Sequence, residues 1–128
     1  ANADFVGSLG ADDVIDYRTT PFETVVREID VVLDTVGGET RDRSWGILRK
    51  GGKLVTIAAD AEGVTEPRVR EAFFIVEPNR AQLIEIAHLI DAGTIKPIVG
   101  NVFPMENFRQ AYEEKPLRGK HVLRFAEL

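Results

Sequence analysis

Few residues in this chain can hold a metal or a reactive charge. It has 2 histidines, His88 and His121, and no cysteine, which excludes a disulfide framework, thiol chemistry and a thiolate zinc site within these residues. Neither a G-x-G-x-x-G sequence nor a G-x-x-x-x-G-K-[ST] loop occurs, so the chain carries no pyrophosphate cradle of either kind. What remains is main-chain chemistry at Gly37-Gly38, directly after the apolar run between Asp30 and Asp34. Paired glycines at a strand end let a ligand approach the backbone, and the helix-opening amides beyond them suit a ribose hydroxyl or a phosphate. A plain strand-to-helix turn asks for the same pair. Asp34, near the ligand edge of its strand, reads as an acceptor for neighbouring backbone amides rather than as a general base. His88 falls between the apolar positions of a helix and reads as solvated, and His121 reads as a packed or edge imidazole. Arg41-Asp42-Arg43 reads as a solvated helix face. Gly51-Gly52-Lys53 precedes a strand, and so reads as a helix stop rather than a phosphate loop.

The elements that must position these groups follow from residue spacing. Phe5, Val6 and Leu9 lie at helical intervals with Gly10 as a stop. Residues 13–17 alternate and are β-branched, predicting a strand. Thr20, Pro21 and Glu23 form a helix start, predicting a helix over 21–28. Val31-Val32-Leu33 is apolar without alternation, as in a central parallel strand covered on both faces. A polar helix containing Trp45, Ile47 and Leu48 leads past Gly51-Gly52 to a strand over 53–58. Such a strand, helix and strand take a right-handed crossover and place the two strands side by side and parallel. Residues 60–67 predict a mobile loop and 72–76 a third apolar strand. Residues 79–92 predict a helix with Leu83, Ile86, Ala87 and Ile90 on one face and Gly93 as its stop. An edge strand over 96–102, a helix opened by Pro104 and a final strand over 119–125 complete the chain.

This alternation predicts a single α/β domain, residues 1–128, with a mostly parallel sheet. Ligands in such sheets bind at the carboxyl ends of the strands. Those ends are Tyr17, the turn Thr35-Val36-Gly37-Gly38, Ile57-Ala58-Ala59, and Val76 with Glu77.

Lys and Arg number 16 against 21 Asp and Glu, a formal charge of −5. With no run of basic residues, neither nucleic acid nor an anionic membrane is an expected partner. The longest apolar runs fall far short of the roughly 18 residues that a spanning helix needs. A chain of 128 residues has one domain's length and can bury roughly two thirds of its unfolded surface. It opens on Ala1 and enters apolar spacing almost at once, so it reads as a piece of a longer protein. With no targeting segment evident, a soluble and cytoplasmic protein is expected.

Several short stretches, weak singly, become specific in order. They are Leu9-Gly10-Ala11-Asp12 with Val14-Ile15-Asp16-Tyr17, the run from Asp30 to Gly38, and Leu48-Arg49-Lys50-Gly51-Gly52-Lys53-Leu54-Val55. Phe73-Phe74-Ile75-Val76, Ile90-Asp91-Ala92-Gly93, Phe103-Pro104-Met105-Glu106 and Arg118-Gly119-Lys120-His121-Val122-Leu123 follow. Together they resemble the medium-chain dehydrogenase/reductase superfamily, in particular its quinone oxidoreductase and zinc-binding dehydrogenase-like members. In that family a catalytic domain precedes a nucleotide-binding domain of six parallel strands ordered 3-2-1-4-5-6. The resemblance implies that this chain is the second domain from just after its second strand onward. The fold is then a partial doubly wound, Rossmann-like, mostly parallel sheet lacking its first two strands, without the pyrophosphate turn and without zinc in this chain.

The resemblance further implies hydride transfer between NADP(H) or NAD(H) and a quinone, enone or carbonyl substrate. It assigns no catalytic residue here. The chain alone is expected to be inactive and to bind cofactor weakly or not at all. Carried over residue by residue, Tyr17 flanks the adenosine end, and Thr35, Val36 and Gly37 meet the adenosine and ribose. Ile57 and Ala58 underlie the nicotinamide ribose, Phe74 and Val76 meet the carboxamide, and Lys120 belongs to a Gly-Lys pair near the site. A homodimer surface near 72–76 is implied as well.

Two other readings compete. One is an S-adenosylmethionine-dependent methyltransferase, which also has an apolar strand ending in Asp and a Gly-Gly turn, but closes on an antiparallel hairpin. The other is a non-enzymatic association module. Removing two strands from a 3-2-1-4-5-6 sheet also bares the apolar strand 31–33, so either the 13–17 strand slides beside it or two copies of the chain pair there.

Overall fold

The computed structural model describes residues 2–116 and 118–126. By its internal contacts the chain falls into two compact units, one running to Val76 and the other beginning at Glu77.

The first unit is built on one parallel strand pair. Helix α1 (Ala3–Ser8) ends short of Gly10, which takes a positive φ of 101°. Strand β1 (Ile29–Asp34), helix α2 (Gly38–Ser44) with a 3-10 turn at Trp45–Ile47, and strand β2 (Leu48–Thr56) follow in order. β1 and β2 are parallel, with Val32 opposite Leu54 and Asp34 opposite Thr56, as a crossover helix requires. One face of this pair is covered: Leu54 and Thr56 are buried, together with Asp34, Ile47, Ala58, Ala61, Val69 and Ala72. The other face is bare, with Val31 and Leu33 both more than 60% exposed. β1 therefore lacks the two-sided cover expected of a central strand, and no second strand lies beside it among the described residues.

Three elements differ from expectation. Residues 13–17 form no strand, because a strand exists only where a neighbour satisfies its backbone and β1 is paired with β2 instead. The expected slide of this segment beside β1 does not occur. The helix over 21–28 reduces to one 3-10 turn, Phe22–Thr24, and Glu28 takes a positive φ of 55°; the β-branched run Thr24-Val25-Val26 resists helix. Helix α3 (Pro67–Ala72), opened by Pro67 and by Glu66, whose carboxylate accepts from the Val69 N–H at 2.8 Å, reaches only the first residue of the expected strand over 72–76, and residues 74–76 are irregular. Only one parallel bridge, Thr56 with Phe73, is left of that strand. Gly51-Gly52 is not a helix stop but lies inside β2, at the irregularity that shifts its register. A Cβ on Gly52 would stand 2.7 Å from the Ile29 carbonyl oxygen, so this backbone approach admits glycine alone.

The second unit holds helix α4 (Arg80–Asp91), strand β3 (Val99–Pro104), helix α5 (Phe108–Glu113) and strand β4 (Lys120–Arg124). The Asn79 side chain caps α4 by accepting from the Gln82 N–H at 3.1 Å, and Gly93 has a φ of 71°, matching the sequence reading. β3 and β4 pair in parallel. His121 on β4 packs beside Phe103 with ring centres 5.0 Å apart, and its Nδ1 lies 3.0 Å from the Ala111 carbonyl oxygen. It is a packed imidazole, as expected, while His88 is exposed. The architecture is thus α/β with parallel pairing in both units.

Candidate functional site

The carboxyl ends of the unit 1 strands come together through their backbone ladder. Asp34, Thr56 and Phe73 stand side by side: Asp34 is opposite Thr56, and Thr56 bridges Phe73. The Ile57 N–H donates to the Asp34 carbonyl at 3.0 Å, and the Phe74 N–H to the Thr56 carbonyl at 2.9 Å. The next residue of each segment is Thr35, Ile57 and Phe74, so three of the expected cofactor contacts form one row across the edge. All three are exposed, as is Val36. Val76 lies two residues beyond Phe74 and is 75% exposed. Ala58 is buried beneath the row.

Below the row lies a closed polar network. Asp34 Oδ1 accepts from the N–H groups of Val36 (3.0 Å) and Gly37 (2.9 Å), and Oδ2 accepts from the Thr56 hydroxyl at 2.7 Å. The Thr56 hydroxyl in turn accepts from the Ala58 N–H. Burial pushes the Asp34 pKa up, but the bonds from Gly37, Thr56 and Val36 and the nearby Arg41 charge outweigh it, and the net direction is down. Asp34 is therefore the amide acceptor that its position suggested.

Asp60, in the 3-10 turn Ala59–Ala61 after β2, completes the turn from the other side. Its Oδ2 accepts from the Gly38 N–H at 2.9 Å and from Arg41 Nη1 at 3.1 Å. Arg41 is only 7% exposed, which corrects its reading as part of a solvated face. On a helix the side chain leans back toward the N-terminus, and here that direction carries Arg41 to Asp60. Arg43, on the same helix, reaches Glu23 at 2.8 Å and lies over the Phe22 ring. Sequence reading missed Asp60 and Arg41, since the Asp60 bonds cross 22 and 19 residues. The bare Gly37-Gly38 turn, which lacks a capping side chain of its own, is the signal that a distant acceptor is needed.

Two further expected residues belong to other segments of the chain. Tyr17, 82% exposed, belongs to a separate groove of about 400 Å³ with Val6, Val14 and Ile15. Lys120 opens β4 in the second unit, where its N–H donates to the Ile98 carbonyl at 3.0 Å.

Ile57 and Phe74 in this row expose apolar area, an apolar ledge at the strand ends. The amides of Val36, Gly37 and Gly38 are already taken by Asp34 and Asp60, so these three are not free for a phosphate. Among the described residues no group of three or more His, Cys, Asp or Glu side chains is placed to hold a metal. No helix among them is long and apolar enough to cross a membrane.

Comparison with known proteins agrees with this architecture. Residues 9–123 match the family model described as zinc-binding dehydrogenase. A probable mitochondrial zinc-binding oxidoreductase of Arthroderma benhamiae is 34% identical over 96% of this chain and 41% of its own length. A mitochondrial NAD(P)H oxidoreductase of Danio rerio is 29% identical over 95% of this chain and 40% of its own. Among solved structures, a thermostable alcohol dehydrogenase from Pyrobaculum aerophilum superposes with a TM-score of 0.70 at 28% identity, covering 97% of this chain and 39% of that one. The quinone oxidoreductase from Coxiella burnetii shares the fold at a TM-score of 0.76 and 22% identity, covering 98% of this chain and 42% of that one. This chain belongs to the zinc-binding dehydrogenase family of the medium-chain dehydrogenase/reductase superfamily. It spans about 40% of the length of the curated relatives it matches. The methyltransferase reading is set aside by this membership, and the closing strand pair is parallel rather than an antiparallel hairpin.

Proposed function

We propose that this chain supplies the nicotinamide side of a cofactor site in an NAD(P)H-dependent oxidoreductase acting on a quinone, enone or similar carbonyl compound. The observation that carries the reading is the row Thr35, Ile57 and Phe74 at the carboxyl ends of adjacent parallel segments, the edge at which α/β sheets take ligands. When bound, the nicotinamide supplies or accepts the hydride. The residues of this chain orient it: Ile57 and Phe74 offer apolar area to one face of the ring, and Val76 extends the ledge. Relatives carry NAD(P)H or NADPH in their names, and either nucleotide is compatible with the row. Tyr17 and Lys120 are assigned to the adenosine end and to the family's Gly-Lys pair on the strength of the resemblance.

Calorimetric titration of the purified chain, and of the protein extended upstream through a glycine-rich turn, with NADPH, NADH and S-adenosylmethionine tests this reading. The extended protein is expected to bind a nicotinamide nucleotide and the 128-residue chain weakly or not at all. Binding of S-adenosylmethionine alone sinks the reading, and binding of nothing by either protein favours a non-catalytic association module. Quinone reduction by the short chain would show that it is not inactive alone.

We also propose that two copies associate through the unpaired edge of β1. Val31 and Leu33 present an apolar, unpaired strand, which invites another chain. In sedimentation the chain is expected to run as a dimer, and Val31→Lys with Leu33→Lys to run as a monomer. A native chain that is monomeric at all concentrations overturns this.

A further inference from the structure

We draw no further inference here: the strongest candidate, the cleft of about 400 Å³ between β2 and α3 lined by Trp45, Lys53, Arg68 and Glu71, where Arg68 lies 4.7 Å over the Trp45 ring and the buried indole N–H has no acceptor among the described residues, carries nothing because nothing in the structure shows what fills it.

Discussion

Replacing Asp34 with alanine is expected to destabilise the first unit by roughly 3–5 kcal/mol, because it strands several buried donors at once. The N–H groups of Val36 and Gly37 and the hydroxyl of Thr56, which is fully buried, all lose their acceptor. Trp45 is the chain's single tryptophan and lies in this unit, so urea unfolding followed by its fluorescence reports on the right part of the molecule. Asp34→Asn is expected to cost less, since an amide oxygen can still serve the two backbone donors. The native contribution also depends on pH. Asp34 titrates below its ordinary 3.8 in the folded unit, so the unfolded chain takes up its proton first as acid is added. The stabilisation is complete above that ordinary value and is lost as pH falls through the lower folded one. Asp34→Asn should remove this part of the acid sensitivity and leave the remainder. An asparagine variant that matches the native protein at neutral pH and shows the same loss of stability in acid would refute the role assigned to the carboxylate.

The same network shows why some of the molecule could be read from its sequence and some could not. β1, the turn and β2 were legible because their signals are local: an apolar β-branched run, a glycine pair, and a short helix between strands. The α4 cap was legible for the same reason, through Asn79 and Gly93. Residues 13–17 and 72–76 carry equally good strand patterns, yet one is irregular and the other gives a single bridge. Whether a strand forms depends on a partner for its backbone, and that partner is not local information. Thr35, Ile57 and Phe74 are named by the family resemblance, and only Thr35 directly follows a strand pattern; that they form one row depends on the pairing of their segments. The acceptor beneath it could not be anticipated, because Arg41 looks like one member of a charged helix face and Asp60 like one member of a loop. Asp34 stood between these cases: its place before a glycine turn announced an acceptor, while its bond to Thr56, 22 residues on, is visible only in the fold.

Gly37→Ala should be nearly as damaging as loss of Asp34, and its neighbour supplies the control. Gly37 has a φ of 81° and a ψ of −167°, a region open essentially to glycine, where other residues carry about 1–3 kcal/mol of strain. It also has no space for a methyl group. A Cβ would stand 2.1 Å from Asp60 Oδ1 and 2.9 Å from the Ala58 Cβ. The Asp60 carboxylate can swing away only by releasing Gly38 and Arg41, and buried Ala58 cannot yield without moving the end of β2. Strain and displacement together put the expected cost at about 3 kcal/mol or more. Gly38 also has a positive φ, 53°, but nothing stands within 4 Å of its would-be Cβ. Gly38→Ala should therefore cost only about 1 kcal/mol, the ordinary penalty of a left-handed residue. Combining Gly37→Ala with Asp60→Ala removes the carboxylate clash but neither the Ala58 contact nor the backbone strain, so it should restore little. Equal losses for Gly37→Ala and Gly38→Ala would mean that the turn is held by backbone conformation alone, and that Asp60 does not sit over Gly37 in solution.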